Sequence, residues 1–358
     1  MQTSMVAFPA AALWALLAPS GPAVSQQAER HTISGADIAI YNLAGVARIE
    51  GGSGSDVVVN VTRGGRDAAK LRIETGLVRD RATLRLIYPD DDLVYRGLGP
   101  GSSTTVNVRE DGTFGDGGGD HDRSGDRRRV RISGSGGGLE AHADLRIAVP
   151  TGRRVAVYLA VGQALVSNVN GDLRVDVAAA SVTADHSRGS LFVDAGSGDV
   201  RVSEAEGEVT IDTGSGDVIV SGVRGPRLSL DTGSGNVTAD GIAADVLKVD
   251  TGSGNVEASG IKARDVKIDT GSGGVRLVLL SDIEALHVDT GSGDVTIDVP
   301  ADFGAHVDIE TGSGDIDLRG VQLRATRLQS DHLRGEVGDG RGQMKVSTGS
   351  GGVILRRS

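Results

Sequence analysis

From Leu228 the chain reads Leu-Ser-Leu-Asp-Thr, then Gly-Ser-Gly, then Asn-Val-Thr-Ala-Asp as far as Gly241. Apolar residues occupy every second position in both runs. Each run therefore predicts a short strand with one buried and one wet face, and the glycines predict sharp turns. The phrase returns along the chain. From Gly196 onward, Gly-Ser-Gly begins at Gly196, Gly214, Gly233, Gly252, Gly271, Gly291, Gly312 and Gly349, in steps of 18 to 21 residues until a last step of 37. That last step spans two periods, with a degenerate copy at Gln329–Val337 between them. Fainter copies run upstream, at Asn170-Gly171-Asp172-Leu173 and Arg188-Gly189-Ser190-Leu191.

Two five-residue strands and two turns fill one such period. A single copy cannot bury its apolar face, whereas stacked copies share one core. The expected fold is all-β: a right-handed parallel β-solenoid (β-helix) with ~19-residue coils, ten or eleven of them, rising ~4.8 Å per coil. An irregular β region stands at its N-terminal end. The pattern divides the chain into an export signal at 1–25, an irregular β region or first coils at 26–111, a flexible Gly/Asp/Arg-rich loop at 112–129, and the solenoid at 130–358, most regular from about 160.

Composition narrows the picture. Aromatics make up 3% of the chain and hydrophobic residues 38%, with 55 glycines, which suits a thin aliphatic core. The first 25 residues are uncharged, with an apolar run from Val6 to Leu17 and small residues at Ala23-Val24-Ser25. This is the pattern of an export signal lacking a basic n-region. The run is too short to span a bilayer, and the mature chain carries no transmembrane segment. The expected location is the periplasm, cell surface or medium. With no cysteine, neither disulfides nor an N-terminal lipid-modified Cys can form, and a net charge of −11 argues against nucleic-acid binding by bulk charge.

The run Leu145-Arg-Ile-Ala-Val-Pro-Thr-Gly-Arg-Arg-Val-Ala-Val157, the repeated Thr-Gly-Ser-Gly-Asp-Val and the late phrase Asp298-Val-Pro-Ala-Asp-Phe-Gly-Ala305 resemble a widespread bacterial family of β-strand repeats. Its members carry an adhesin label and its function is unknown. The resemblance covers most of residues 35–357. It implies a solenoid and a cell-envelope or surface role, and it brings no catalytic motif.

Asp-Thr-Gly-Ser also matches the catalytic loop of aspartic proteases. Such an enzyme needs two loops face to face, sharing one proton; loops recurring once per coil should instead stack as a ladder. The threonines of the phrase (213, 232, 251, 270, 290 and 311) should form a column bonded to backbone. After Gly-Ser-Gly come Asp199, Asp217, Asn236, Asn255, Gly274, Asp294 and Asp315, read here as turn residues that tolerate left-handed backbone. The column Asp194, Asp212, Asp231, Asp250, Asp269, Asp289 and Glu310 collects acids, offset at Lys248, Lys267 and His287. Its uncompensated end, Asp194, Asp212 and Asp231, is the candidate calcium site. Asp120-His121-Asp122-Arg123-Ser124-Gly125 begins like an EF-hand loop but has Arg131 at the twelfth position. The seven histidines show no ligand spacing, and no nucleophile elbow or P-loop occurs.

The expected function is therefore non-enzymatic: an exported structural or adhesive repeat scaffold without a cofactor. Its partner is an unidentified envelope or surface component, and self-association through an exposed solenoid end is a further expectation. A calcium-binding β-roll-like protein is the alternative.

Overall fold

The computed structural model describes residues 28–115 and 127–357; the export signal and the EF-hand-like Asp120–Gly125 lie outside them. The protein is all-β. Twenty-five strands form one long sheet and three more form a small sheet beside it, with two single-turn 3-10 helices as the only other regular elements among the described residues.

The repeats stack in register. Val193 meets Ile211, Ile211 meets Leu230, and the series continues through Val249 and Ile268 to Val288, all in parallel pairs. A second wall runs Val200, Val218, Val237, Val256, Val275 and Val295. Every one of these side chains is buried. The core is the narrow space between the walls, and each inward Val, Ile or Leu contributes roughly 1.5–3 kcal/mol. The alternating pattern alone sets which residues face in.

Two corners close each repeat. At the first, positive φ falls on the second glycine of Gly-Ser-Gly (Gly216 at +134°, Gly235 at +147°), not on the Asp or Asn that follows. At the second corner a left-handed column runs Asn168, His186, Glu204, Gly222, Gly241 and Gly260, with φ between 49° and 66°. Left-handed backbone costs a non-glycine residue about 1–2 kcal/mol, more than the added chain entropy of glycine. Glu204→Gly is therefore expected to raise stability by about 0.5–1 kcal/mol, read as a higher denaturation midpoint. A lower midpoint would mean that the Glu204 side chain matters more than its backbone.

Both ends depart from a simple parallel coil. At the N-terminal end, Asp37–Gly52 pairs in parallel register with Arg154–Ser167 on one edge and, on the other, with Arg81–Ile87 and His142–Pro150, also in parallel. Around it the pairings turn antiparallel: Glu29–Ile33 with Val57–Gly64, Val57–Gly64 with His142–Pro150, and Arg72–Val78 with Arg81–Ile87. Asp92–Val94, Ser103–Arg109 and Arg127–Ser133 form the small sheet. The stretch expected as a loop from 112 to 129 contributes Thr113 and Phe114 as buried residues and Arg127–Arg129 as strand. Phe114 packs edge-on against Tyr41 and Tyr158, which stack at 4.5 Å.

At the C-terminal end the expected degenerate coil at Gln329–Val337 does not form. His332–Val337 instead runs antiparallel between Ala305–Thr311 and Leu323–Leu328 and caps the sheet as a hairpin. The last copy, Gly342–Thr348, inserts between Ala285–Thr290 and Ala305–Thr311, so spatial order departs from chain order. One physical consequence is that Ser347 separates Asp289 from Glu310 in the acid column.

Candidate functional site

Outward-facing positions form columns because each repeat sits in register on the last. The column through the phrase runs from Arg85 through Tyr41 and Tyr158, then continues Asp176, Asp194, Asp212, Asp231, Asp250, Asp269 and Asp289. Ser347, Glu310 and His332 complete it. Seven aspartates thus stand side by side, one more than the phrase alone suggested at that end. Asp176 could have been found from the alternation in Val175-Asp176-Val177.

Adjacent carboxylates one strand apart repel by about 0.9 kcal/mol in water before screening. The neighbouring column answers part of this. Arg174 reaches Asp176 at 3.2 Å and Asp194 at 3.3 Å, and Lys248 reaches Asp250 at 3.6 Å. Lys248, Lys267, His287 and Lys345 are successive register partners. Beside Asp212 and Asp231 that column carries Thr210 and Ser229. Burial raises Asp194 above the usual carboxylate range, with Arg174 opposing and Asp212 adding to the shift. Burial likewise raises Asp231, and Asp250 and Asp212 add to it while Lys248 opposes.

A folded-state pKa above the unfolded value means that ionised Asp231 destabilises the fold at neutral pH. The penalty fades as pH falls through the raised folded pKa. Asp231→Asn is accordingly expected to be neutral or stabilising by up to about 1 kcal/mol at pH 7, with no gain once Asp231 is protonated. Melts at neutral and acidic pH check this, and strong destabilisation at pH 7 would demand a specific ionic role.

The Asp-Thr-Gly loops lie side by side along one sheet and do not face one another, so the two-carboxylate geometry of an aspartic protease is not built from them. The threonines form a buried column. Thr232, Thr251 and Thr270 each donate to the second glycine carbonyl of the preceding repeat at 3.3–3.4 Å, and Thr290 and Thr348 do so at 3.1 Å. After Gly-Ser-Gly, the side-chain oxygen accepts a backbone N–H from the next repeat: Asn236 N–H to Asp217, Asn255 N–H to Asn236, and Gly274 N–H to Asn255, at 2.9–3.0 Å. These positions need a carboxylate or amide oxygen, not a left-handed backbone. That corrects the reading of this column as left-handed turn residues. Gly274 can receive this bond but cannot pass it on.

Sequence spacing, which placed Glu310 in the acid column, missed its grouping with Asp308 and His332, which the C-terminal hairpin brings together. No spacing signal links them, because the antiparallel return that joins them breaks the period. Among the described residues this is the one trio of metal-type ligands with ligand atoms within 4.8 Å of one another; Asp194, Asp212 and Asp231 do not converge in that way. Arg131, the EF-hand mismatch, lies in a strand paired with Asp92 and Thr105.

In-register repeats on a long sheet, with a buried threonine column and an outward acid column, define an all-β repeat protein of solenoid-like build. Residues 145–356 match the family Toastrack DUF4097, a domain of unknown function, and the chain belongs to that family. The β-strand-repeat resemblance seen in the sequence holds at this level. No curated protein matches the chain. A solved structure described as a "putative cell adhesion protein" from Clostridium sporogenes aligns at 11% identity. The alignment covers 93% of this chain and 100% of that one at a TM-score of 0.21, too loose a superposition to carry an argument. No helix among the described residues is long and apolar enough to cross a membrane.

Proposed function

We propose that the protein is a non-enzymatic scaffold of the cell envelope or surface, exported by its N-terminal segment. In this reading it is a right-handed solenoid of ~19-residue coils that presents polar columns to a partner outside the cytoplasm. The right hand follows from the preference of parallel β-crossovers. The observation supporting the role is the in-register display itself. Six aspartates from Asp194 to Asp289 repeat one residue type at one strand spacing, which suits a rigid surface meeting a repetitive partner. The test is fractionation of cells producing the tagged full chain, followed by protease treatment of intact cells. Retention in the cytoplasm would sink the proposal.

Arg174 compensates Asp194, contrary to the sequence expectation, but Asp212 and Asp231 have no basic neighbour among the described residues of the adjoining column and keep calcium as a second reading. A calcium roll gains its fold from metal, whereas here buried Val, Ile and Leu supply an apolar core. The chain is expected to fold in EDTA. Ligand linkage adds about 2.7 kcal/mol at a hundredfold excess over Kd, so millimolar calcium should move the melt by a few degrees at most, with magnesium as control. A fold that appears only with calcium would make Asp194, Asp212 and Asp231 metal ligands.

A further inference from the structure

We propose that Asp308, Glu310 and His332 bind a zinc-class divalent cation that clips the C-terminal hairpin to the end of the sheet. Asp308 and Glu310 are two residues apart on Ala305–Thr311 and so share a face. His332 comes from the antiparallel neighbour, directly opposite Glu310 in register. Its Nε2 lies 2.9 Å from Asp308 Oδ1 and 3.3 Å from Glu310 Oε1. A neutral imidazole nitrogen carries at most one hydrogen and cannot serve two carboxylates well. A cation in its place takes a lone pair from each of the three groups.

The spacing suits a small ion. Ligands about 2.0–2.2 Å from a tetrahedral metal stand roughly 3.3 Å from one another, near the separations seen here. One imidazole nitrogen with two carboxylates favours zinc or a similar transition ion over calcium, which takes 6–8 oxygens. The surroundings hold the ligands in place. The His332 side chain is 12% exposed, and Arg334 binds the other oxygen of Asp308, fixing its orientation. Glu310, at 52%, faces solvent and leaves room for water as a further ligand. The bound ion would join strands whose ligands are 24 residues apart, closing the hairpin against fraying.

The experiment uses the full chain freed of metal with chelator, titrated with ZnCl2 by calorimetry. Hydrogen exchange across Leu323–Val337 is followed in parallel. One ion per chain should bind at micromolar concentration and slow exchange in the hairpin. Glu310→Gln and His332→Gln should each weaken binding by at least the roughly 10- to 100-fold typical of losing an outer-shell partner and abolish that added protection. Glu310→Gln, at a half-exposed position, guards against a variant that merely fails to fold. His306→Gln, on the same strand face beyond Asp308, should bind as the unaltered chain does. Absence of binding below millimolar zinc would overturn the proposal. So would equal binding by the Glu310 and His332 variants, or loss of binding in His306→Gln alone.

Discussion

Gly254→Val is expected to cost about 4 kcal/mol or more, in the range reserved for severe core lesions. Two effects combine. Gly254 has φ of +146°, where a β-branched residue is strained. A Cβ there would also lie 2.0 Å from the carbonyl oxygen of Gly235 in the preceding repeat. That carbonyl cannot yield, because it belongs to the stacked backbone. Asn255→Gly, one position on, should cost only about 1 kcal/mol, since it removes one side-chain acceptor for Gly274 N–H and adds no clash. Hydrogen exchange is the right readout, because long repeat arrays need not unfold in one step. Loss of protection should centre on the repeats flanking Gly254. Equal effects for the two variants would show that close backbone stacking does not limit this corner.

The second large effect is expected at Asp298. This carboxylate is 4% exposed. It receives both Nε and Nη2 of Arg356, the latter at 2.9 Å, and Arg276 at 3.3 Å. Removing one member of a buried pair costs about 3–5 kcal/mol; both arginines keep partial access to water, so Asp298→Ala should cost about 2–3 kcal/mol. Arg356 lies in the last copy, which inserts out of chain order, so the damage should appear first as opening of Val353–Arg357. Hydrogen bonding from Arg356 holds Asp298 below the usual carboxylate range against the effect of burial. A depressed folded pKa gives stability that is present above the unfolded value of about 3.9 and lost as pH falls through the folded one. Denaturation midpoints between pH 7 and pH 2 should therefore drop more for the unaltered chain than for Asp298→Ala. Parallel pH curves for the two chains would mean that the pair contributes little.

Much of this molecule could be read from the chain. Alternation places Val193, Ile211, Leu230 and Val249 inside, and all four are buried. The recurrence of Gly-Ser-Gly puts Asp212, Asp231 and Asp250 into one column. Both inferences are local and periodic: a two-residue side-chain period assigns faces, and a repeated turn sets register. The aspartates and asparagines after Gly-Ser-Gly form the expected column, but Asp199, Asp217, Asn236, Asn255 and Asp294 accept an N–H of the adjacent repeat and serve no left-handed turn of their own.

What periodicity could not fix was the order of the copies. Ala285–Thr290, Ala305–Thr311 and Gly342–Thr348 present equivalent ladder edges, so backbone hydrogen bonding alone does not choose among them. Side chains meeting across repeats distinguish the arrangements: Asp298 finds Arg356, and Ser347 parts Asp289 from Glu310. Strand ends impose the other tertiary decision. A parallel stack leaves open hydrogen-bonding edges, and an antiparallel hairpin covers one at the C-terminal end. That reversal places His332 beside Asp308 and Glu310, a juxtaposition with no counterpart in the repeat.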